Sequence, residues 1–219
     1  MHDAIKVFFL IVSALFPIVD PLGGSPIFLA LTQNLLPRAR RELAWRVTLN
    51  SFILMVASYF LGSHVLTFFG VSLPAVQVAG GLVVCALGWT LLMQKDGARK
   101  GATDTVQPKN IFKRAFYPLT LPLTIGPGSI SVAVTVGANT THNYGVHVPI
   151  ILAALLAMGA VAASIFLCYR FADWLCQMLG ETGTTIVIRL SAFLLLCIGV
   201  QIVWNGISAL LESVRLQVR

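Results

Sequence analysis

One carboxylic acid stands in the middle of the first long apolar run of this 219-residue chain: Asp20, followed by Pro21, Gly23, Gly24, Ser25 and Pro26. An acid at that depth in a membrane segment costs about 2.5–3.5 kcal/mol on insertion scales, so it marks a functional group by default. Its chemistry could be to pair with an ammonium, coordinate a cation or carry a proton. Asp-Pro is also an ordinary turn starter, and the carboxylate could instead cap the helix that follows, taking up amides freed around Gly23 and Gly24. Both readings stay open at this point.

The prolines around Asp20 recur. Pro17, Pro21 and Pro26 return 101 residues later as Pro118, Pro122 and Pro127, and Leu22 falls on Leu123. Asp20 falls on Leu121, so any role that needs its charge belongs to one copy alone. The second copy offers neutral groups instead: Thr120, Thr124, Gly126, Gly128, Ser129 and Ser131. Hydroxyls in membrane helices often bond only their own backbone. Proline lacks the amide hydrogen and clashes with the preceding turn, so three in eleven residues predict a broken helix in each copy. Gly23-Gly24 and Gly126 with Gly128 are expected to supply the unusual backbone angles. Such a break is tolerated only where protein or a water-lined cavity offers partners to the freed groups. It exposes a positive helix N-terminus, suited to an anion, and a negative C-terminus, suited to a cation. Two breaks facing each other could hold a small zwitterion.

The elements that position these groups follow from hydropathy. Of the residues, 57% are hydrophobic and 11% charged, against about 25% charged in a soluble domain. Six segments are long enough to cross a bilayer core of about 30 Å. They run near Ala4–Leu36, Val47–Phe69, Leu73–Met93, Ala115–Ala138, Val148–Tyr169 and Leu190–Leu211. The first is expected to be a retained helix, not a cleaved signal. The net charge of +7 is explained by topology. Arg38, Arg40, Arg41 and Arg46 follow the first segment; Lys95, Arg99, Lys100, Lys109, Lys113 and Arg114 the third; Arg170 and Arg189 the fifth. The positive-inside rule then puts both termini outside and argues against a nucleic-acid partner. Cys85, Cys168, Cys176 and Cys197 have no ligand spacing and read as small buried hydrophobes.

Three crossings per half is an odd number, so the two copies must run in opposite directions. The expected fold is therefore all-α: a polytopic membrane protein of six transmembrane segments as a 3+3 inverted-topology repeat, with its first and fourth helices broken mid-membrane. Residues 1–94 form the first repeat, 95–112 a cytoplasmic linker and 113–219 the second. Gly81 and Gly88 in the third helix, and Ala192, Gly199 and Gly206 in the sixth, make stripes of small residues at seven-residue spacing that suit close packing.

As a set, Asp20-Pro21-Leu22-Gly23 with Pro26, Pro118-Leu119, Pro122-Leu123 and Gly126-Pro127-Gly128 resemble the two signatures of the MarC family of integral membrane proteins. Gly80-Gly81, Leu179-Gly180-Glu181 with Gly183, Arg189 and the stretch 201–206 extend the resemblance over nearly the whole chain. It implies a bacterial cytoplasmic (inner) membrane protein. Some relatives look like transporters of small neutral amino acids such as glycine and alanine, and membership does not imply drug efflux. Carried over residue by residue, the substrate region is Asp20 to Pro26 and Pro122 to Ser129, with Thr120 beside it. Asp20 is then the ion-coupling candidate, although some members have asparagine there. The expected function is secondary transport of a small zwitterion by alternating access. The alternatives are a non-transporting scaffold and, more remotely, an intramembrane enzyme, for which a second acid or a zinc-binding His-Glu-x-x-His run is missing. No cofactor or metal is expected beyond a coupling proton or Na+. The expected partners are a small-molecule solute and the lipid bilayer, with self-association left open.

Overall fold

A computed structural model describes residues 2–32, 35–93, 115–145 and 147–217, and among them every regular element is helical. The linker at 95–112, with Lys113 and Arg114 beside it, lies outside the described residues. In chain order the helices are α1 His2–Val19, α2 Pro21–Thr32, α3 Pro37–Phe68, α4 Leu73–Met93, α5 Ala115–Thr124, α6 Pro127–Tyr144, α7 Val148–Arg170 and α8 Ala172–Gln217. Five stretches are long and apolar enough to cross a membrane: His2–Thr32, Pro37–Phe68, Leu73–Met93, Val148–Arg170 and Thr182–Ser213. The expected fourth crossing at 115–138 is not among them. It is split between α5 and α6, and α6 ends in the polar run Asn139-Thr140-Thr141-His142-Asn143.

The first interruption is a single residue. Asp20 takes a left-handed conformation at φ 43°, the one non-glycine residue with positive φ among those described. Its amide still donates to Phe16 O at 3.0 Å, and its carbonyl accepts from Gly24 N–H at 2.9 Å. Pro21 follows at the first position of α2, where its missing amide hydrogen costs nothing and its fixed φ suits a helix start. Gly23 and Gly24 are helical, contrary to the expectation that they would unwind. Pro26 lies inside α2 and cannot donate to Leu22 O, so the Ser25 hydroxyl does so instead, at 2.9 Å.

The second interruption is longer. Tyr117 (φ −125°, ψ 125°) and Leu121 (φ −106°, ψ 128°) are extended, and each precedes a proline, the position where proline disfavours helical backbone. Between and after them the turns widen: Ile125 N–H reaches back five residues to Thr120 O at 2.8 Å. Helix α6 then starts afresh, with Gly126 as an extended N-cap and Pro127 at its first position.

Packing follows the small residues. Helices α4 and α8 run antiparallel along a seam in which Gly81 faces Gly199, Gly88 faces Ala192 and Gly206 faces Pro74. A Cβ added at Gly81, Gly88 or Gly206 would lie 2.8, 2.9 or 2.8 Å from a backbone carbonyl of the partner helix, so the backbones themselves are in contact. The two stripes expected from the sequence are thus the two faces of one seam. Elsewhere α1 packs on α6 and α7, α2 on α7 and α8, α3 on α5, α6 and α7, and α4 on α6. Val7, Ile11, Leu15 and Val19, four residues apart along α1, are buried in the core with Ala154, Ala157, Met158 and Ile165 of α7.

Two helix starts differ from expectation: α3 begins at Pro37 and not near Val47, which puts Arg38, Arg40, Arg41 and Arg46 on the helix and not in a linker. Helix α8 begins at Ala172 and kinks at Gly180, whose φ of 67° is one that glycine adopts readily. Its apolar stretch therefore starts at Thr182, which puts Arg189 on the helix and not in a linker. The four cysteines are free: Cys85, Cys168 and Cys176 are half-buried, while Cys197 is exposed, so the reading as buried hydrophobes holds for none in full.

Candidate functional site

The two interruptions meet at one cavity of about 400 Å³. From the first come Asp20, Gly23 and Gly24; from the second Thr124, Gly126, Gly128 and Ser129. Helices α4 and α8 close the space with Val84, Leu87, Leu91 and Leu195. The seven residues from the two interruptions, all singled out in the sequence, therefore line one space, although about a hundred residues separate the two groups. Pro21, Ser25 and Thr120 are buried but do not line it. Their absence has a cause in the backbone: the Ser25 hydroxyl serves Leu22 O, and Thr120 Oγ1 donates to Ala115 O at 2.6 Å.

Asp20 is half-buried, and its two oxygens have different surroundings. Oδ1 accepts from Gly23 N–H at 3.1 Å and from Ser191 Oγ of α8 at 3.2 Å. The first bond is the N-cap anticipated as one reading of this residue, with Gly23 in the third helical position. Oδ2 receives no hydrogen bond from a described residue. The adjacent glycine is required by closeness and not by its angles: a Cβ at Gly23 would run into the Asp20 carboxylate and stand 2.9 Å from Ser191 Cβ.

Tyr169, fully buried near the end of α7, joins the two interruptions. Its ring stacks on Phe28 of α2 with centroids 4.5 Å apart and planes at 13°. Its hydroxyl lies 2.8 Å from where a Cβ at Gly24 would be, and 2.9 Å from Thr124 Oγ1. The single Thr124 proton goes to Leu119 O at 2.7 Å, so Tyr169 must donate to Thr124. The result is a chain of hydrogen bonds from α7 through α5. Neither Tyr169 nor Ser191 was singled out from the sequence. Tyr169 reads there as the aromatic end of the fifth segment, and Ser191 as a small residue beside the stripe that starts at Ala192. A polar tip on a fully buried aromatic needs a partner, but hydropathy does not show that the residue is fully buried.

A second anchored point lies at one end of the bundle. Arg40 pairs with Asp173 and donates to Thr32 O at 3.2 Å, which fastens the end of α2 to the starts of α3 and α8.

Residues 5–211 match the family model described as MarC family integral membrane protein. The chain belongs to the MarC family. Similar curated proteins include the inner membrane protein MarC of Salmonella typhimurium, 29% identical over 97% of this chain and 99% of the relative. Those of Citrobacter koseri and Escherichia coli O1:K1 / APEC are also 29% identical with the same coverage. No solved structure matches. With relatives named as inner membrane proteins and five membrane-length apolar helices, this MarC-family chain is a multi-pass membrane protein.

Proposed function

We propose that the chain is a secondary transporter, not an enzyme, that carries a small neutral amino acid or a similar small zwitterion across the cytoplasmic membrane by alternating access. The observation that carries this reading is the shared cavity. A dedicated space, bordered by one carboxylate and one helix N-terminus from two separate interruptions, is what a solute with both charges needs.

The six-crossing, 3+3 inverted arrangement belongs to the same proposal, with α5 and α6 together as the fourth crossing and the repeats at 1–94 and 113–219. It is supported by the packing pairs. Exchanging α1 with α5, α2 with α6, α3 with α7 and α4 with α8 turns most contacts into other contacts of the same bundle: α2–α7 becomes α6–α3, and α2–α8 becomes α6–α4. The seam supports it too, since Gly81 against Gly199 exchanges with Ala192 against Gly88. On this reading the basic linkers face the cytoplasm and both termini face outward.

Purified protein in liposomes, given labelled glycine or alanine, is expected to accumulate solute above protein-free vesicles when a pH or Na+ gradient is applied. Uptake at the level of empty vesicles for every small neutral amino acid, under both gradients, overturns the proposal. Asp20→Asn then separates its two roles. A flux whose gradient dependence survives in a folded variant assigns Asp20 to the cap, and loss of that dependence assigns it to coupling.

A further inference from the structure

We propose that the cavity binds its solute in one fixed orientation, with the carboxylate at the start of α6 on the Gly128 and Ser129 amides and the Ser129 hydroxyl, and the ammonium at Asp20 Oδ2. The proposal rests on the transport reading for its biological use but names contacts which that reading leaves open.

The two helix starts at the cavity are built alike, each with a proline at the first position, yet they differ in their caps. At α2 the Asp20 carboxylate occupies the positive end of the helix and takes the Gly23 amide. At α6 the N-cap is Gly126, which has no side chain and makes no side-chain cap bond. Pro127 has no amide hydrogen, so the first free donors of this 18-residue helix are the amides of Gly128 and Ser129. Neither meets an acceptor among the described residues. They carry the partial positive charge of the helix end, about half an elementary charge.

A second observation comes from Ser129 itself. It is 3% exposed, lines the cavity, and its hydroxyl makes no hydrogen bond with a described residue. The other two hydroxyls lining the cavity are spent: Thr90 Oγ1 donates to Ala86 O at 2.7 Å and Thr124 Oγ1 to Leu119 O. Ser131, two residues further along α6, donates to Val76 O at 2.8 Å. The Ser129 hydroxyl, on a residue that lines the cavity and bonded to no described residue, makes with the two free amides a three-donor cradle for a carboxylate. Gly128 is required by the packing of α6 on α4, because a Cβ there would run into Val84. A solute carboxylate in this place supplies the cap that Gly126 lacks. Asp20 is the one acid among the lining residues, and its free oxygen is the remaining partner for an ammonium. The solute's side chain is left to the aliphatic wall of Val84, Leu87, Leu91 and Leu195.

The test is equilibrium binding of labelled alanine to the purified, full-length protein, with propionate and ethylamine as competitors. Ser129→Ala is expected to weaken alanine binding about tenfold, the worth of one charge-assisted hydrogen bond, and to weaken propionate competition in parallel while leaving ethylamine competition unchanged. Asp20→Asn is expected to do the reverse. Gly126→Asp places a tethered carboxylate over the same amides and is expected to abolish alanine binding while raising the melting temperature. Alanine bound with unchanged affinity by both Ser129→Ala and a folded Gly126→Asp overturns the orientation and leaves the transport reading standing. Wild-type protein that neither binds nor transports alanine overturns both.

Discussion

The two interruptions start from the same proline register and end in different structures. In the first, one left-handed residue carries the whole change of direction, the hydrogen-bond ladder closes around it, and its own side chain caps the helix beyond. In the second, two extended residues and a widened turn precede a new helix that starts without a side-chain cap. The difference lies in the residue before the middle proline. Asp20 can adopt left-handed backbone and bond the next amides, as short polar side chains do. Leu121 can do neither, so the chain runs extended there, and α6 begins six residues later, at Pro127. Prolines decide that a membrane helix is interrupted, and the residue beside them decides how far.

Substitutions at Leu121, Asp20 and Tyr169 break or sharpen this comparison. The largest effect is expected from Leu121→Asp, which moves the acid to the matching position of the second copy. Leu121 is extended and no helix begins behind it, so the carboxylate finds no amides to cap and about 3 kcal/mol of stability is lost. Thermal melts in detergent read the loss; a variant as stable as wild type would mean that the register alone makes a cap.

An intermediate effect comes from Asp20. Asp20→Ala loses both the cap and a residue that tolerates positive φ, about 2 kcal/mol together. Asp20→Gly recovers the backbone part, and Asp20→Asn keeps both features and should melt close to wild type. Melting in the order Ala, Gly, Asn checks the division, and equal melting of the three contradicts it. Tyr169→Phe gives the smallest change, about 1 kcal/mol, since one buried donor is lost while the ring stays stacked on Phe28. A double-mutant cycle with Thr124→Val should recover most of that energy as coupling, and additive losses would detach Tyr169 from the second interruption.

Much of the fold was legible before the structure. Hydropathy placed α4 at its observed bounds, and the seven-residue spacing of glycines and alanine marked the α4–α8 seam. The proline register falls where the backbone departs from helix, at Asp20 and at Tyr117 and Leu121, and Asp20, Gly23, Gly24, Thr124, Gly126, Gly128 and Ser129 share the cavity. What escaped is what hydroxyls and glycines do locally. Ser25 is consumed because Pro26 leaves Leu22 O without a donor, and Gly23 and Gly24 make room for Ser191 and Tyr169 while remaining helical. Such facts depend on which atoms face one another across helices. Tyr169 and Ser191 were missed for the same reason.

The α4–α8 seam has a mechanical consequence. Gly81, Gly88, Gly199 and Gly206 bring the two backbones together, and Val203, Cys85 and Val78 fill the notches that Gly81, Gly199 and Gly206 leave. Helices keyed together in this way resist sliding along each other, because each of those side chains would have to leave its notch. Placed beside the cavity, with Val84 on one helix and Leu195 on the other lining it, the seam is a keyed joint that holds these two walls together as one unit.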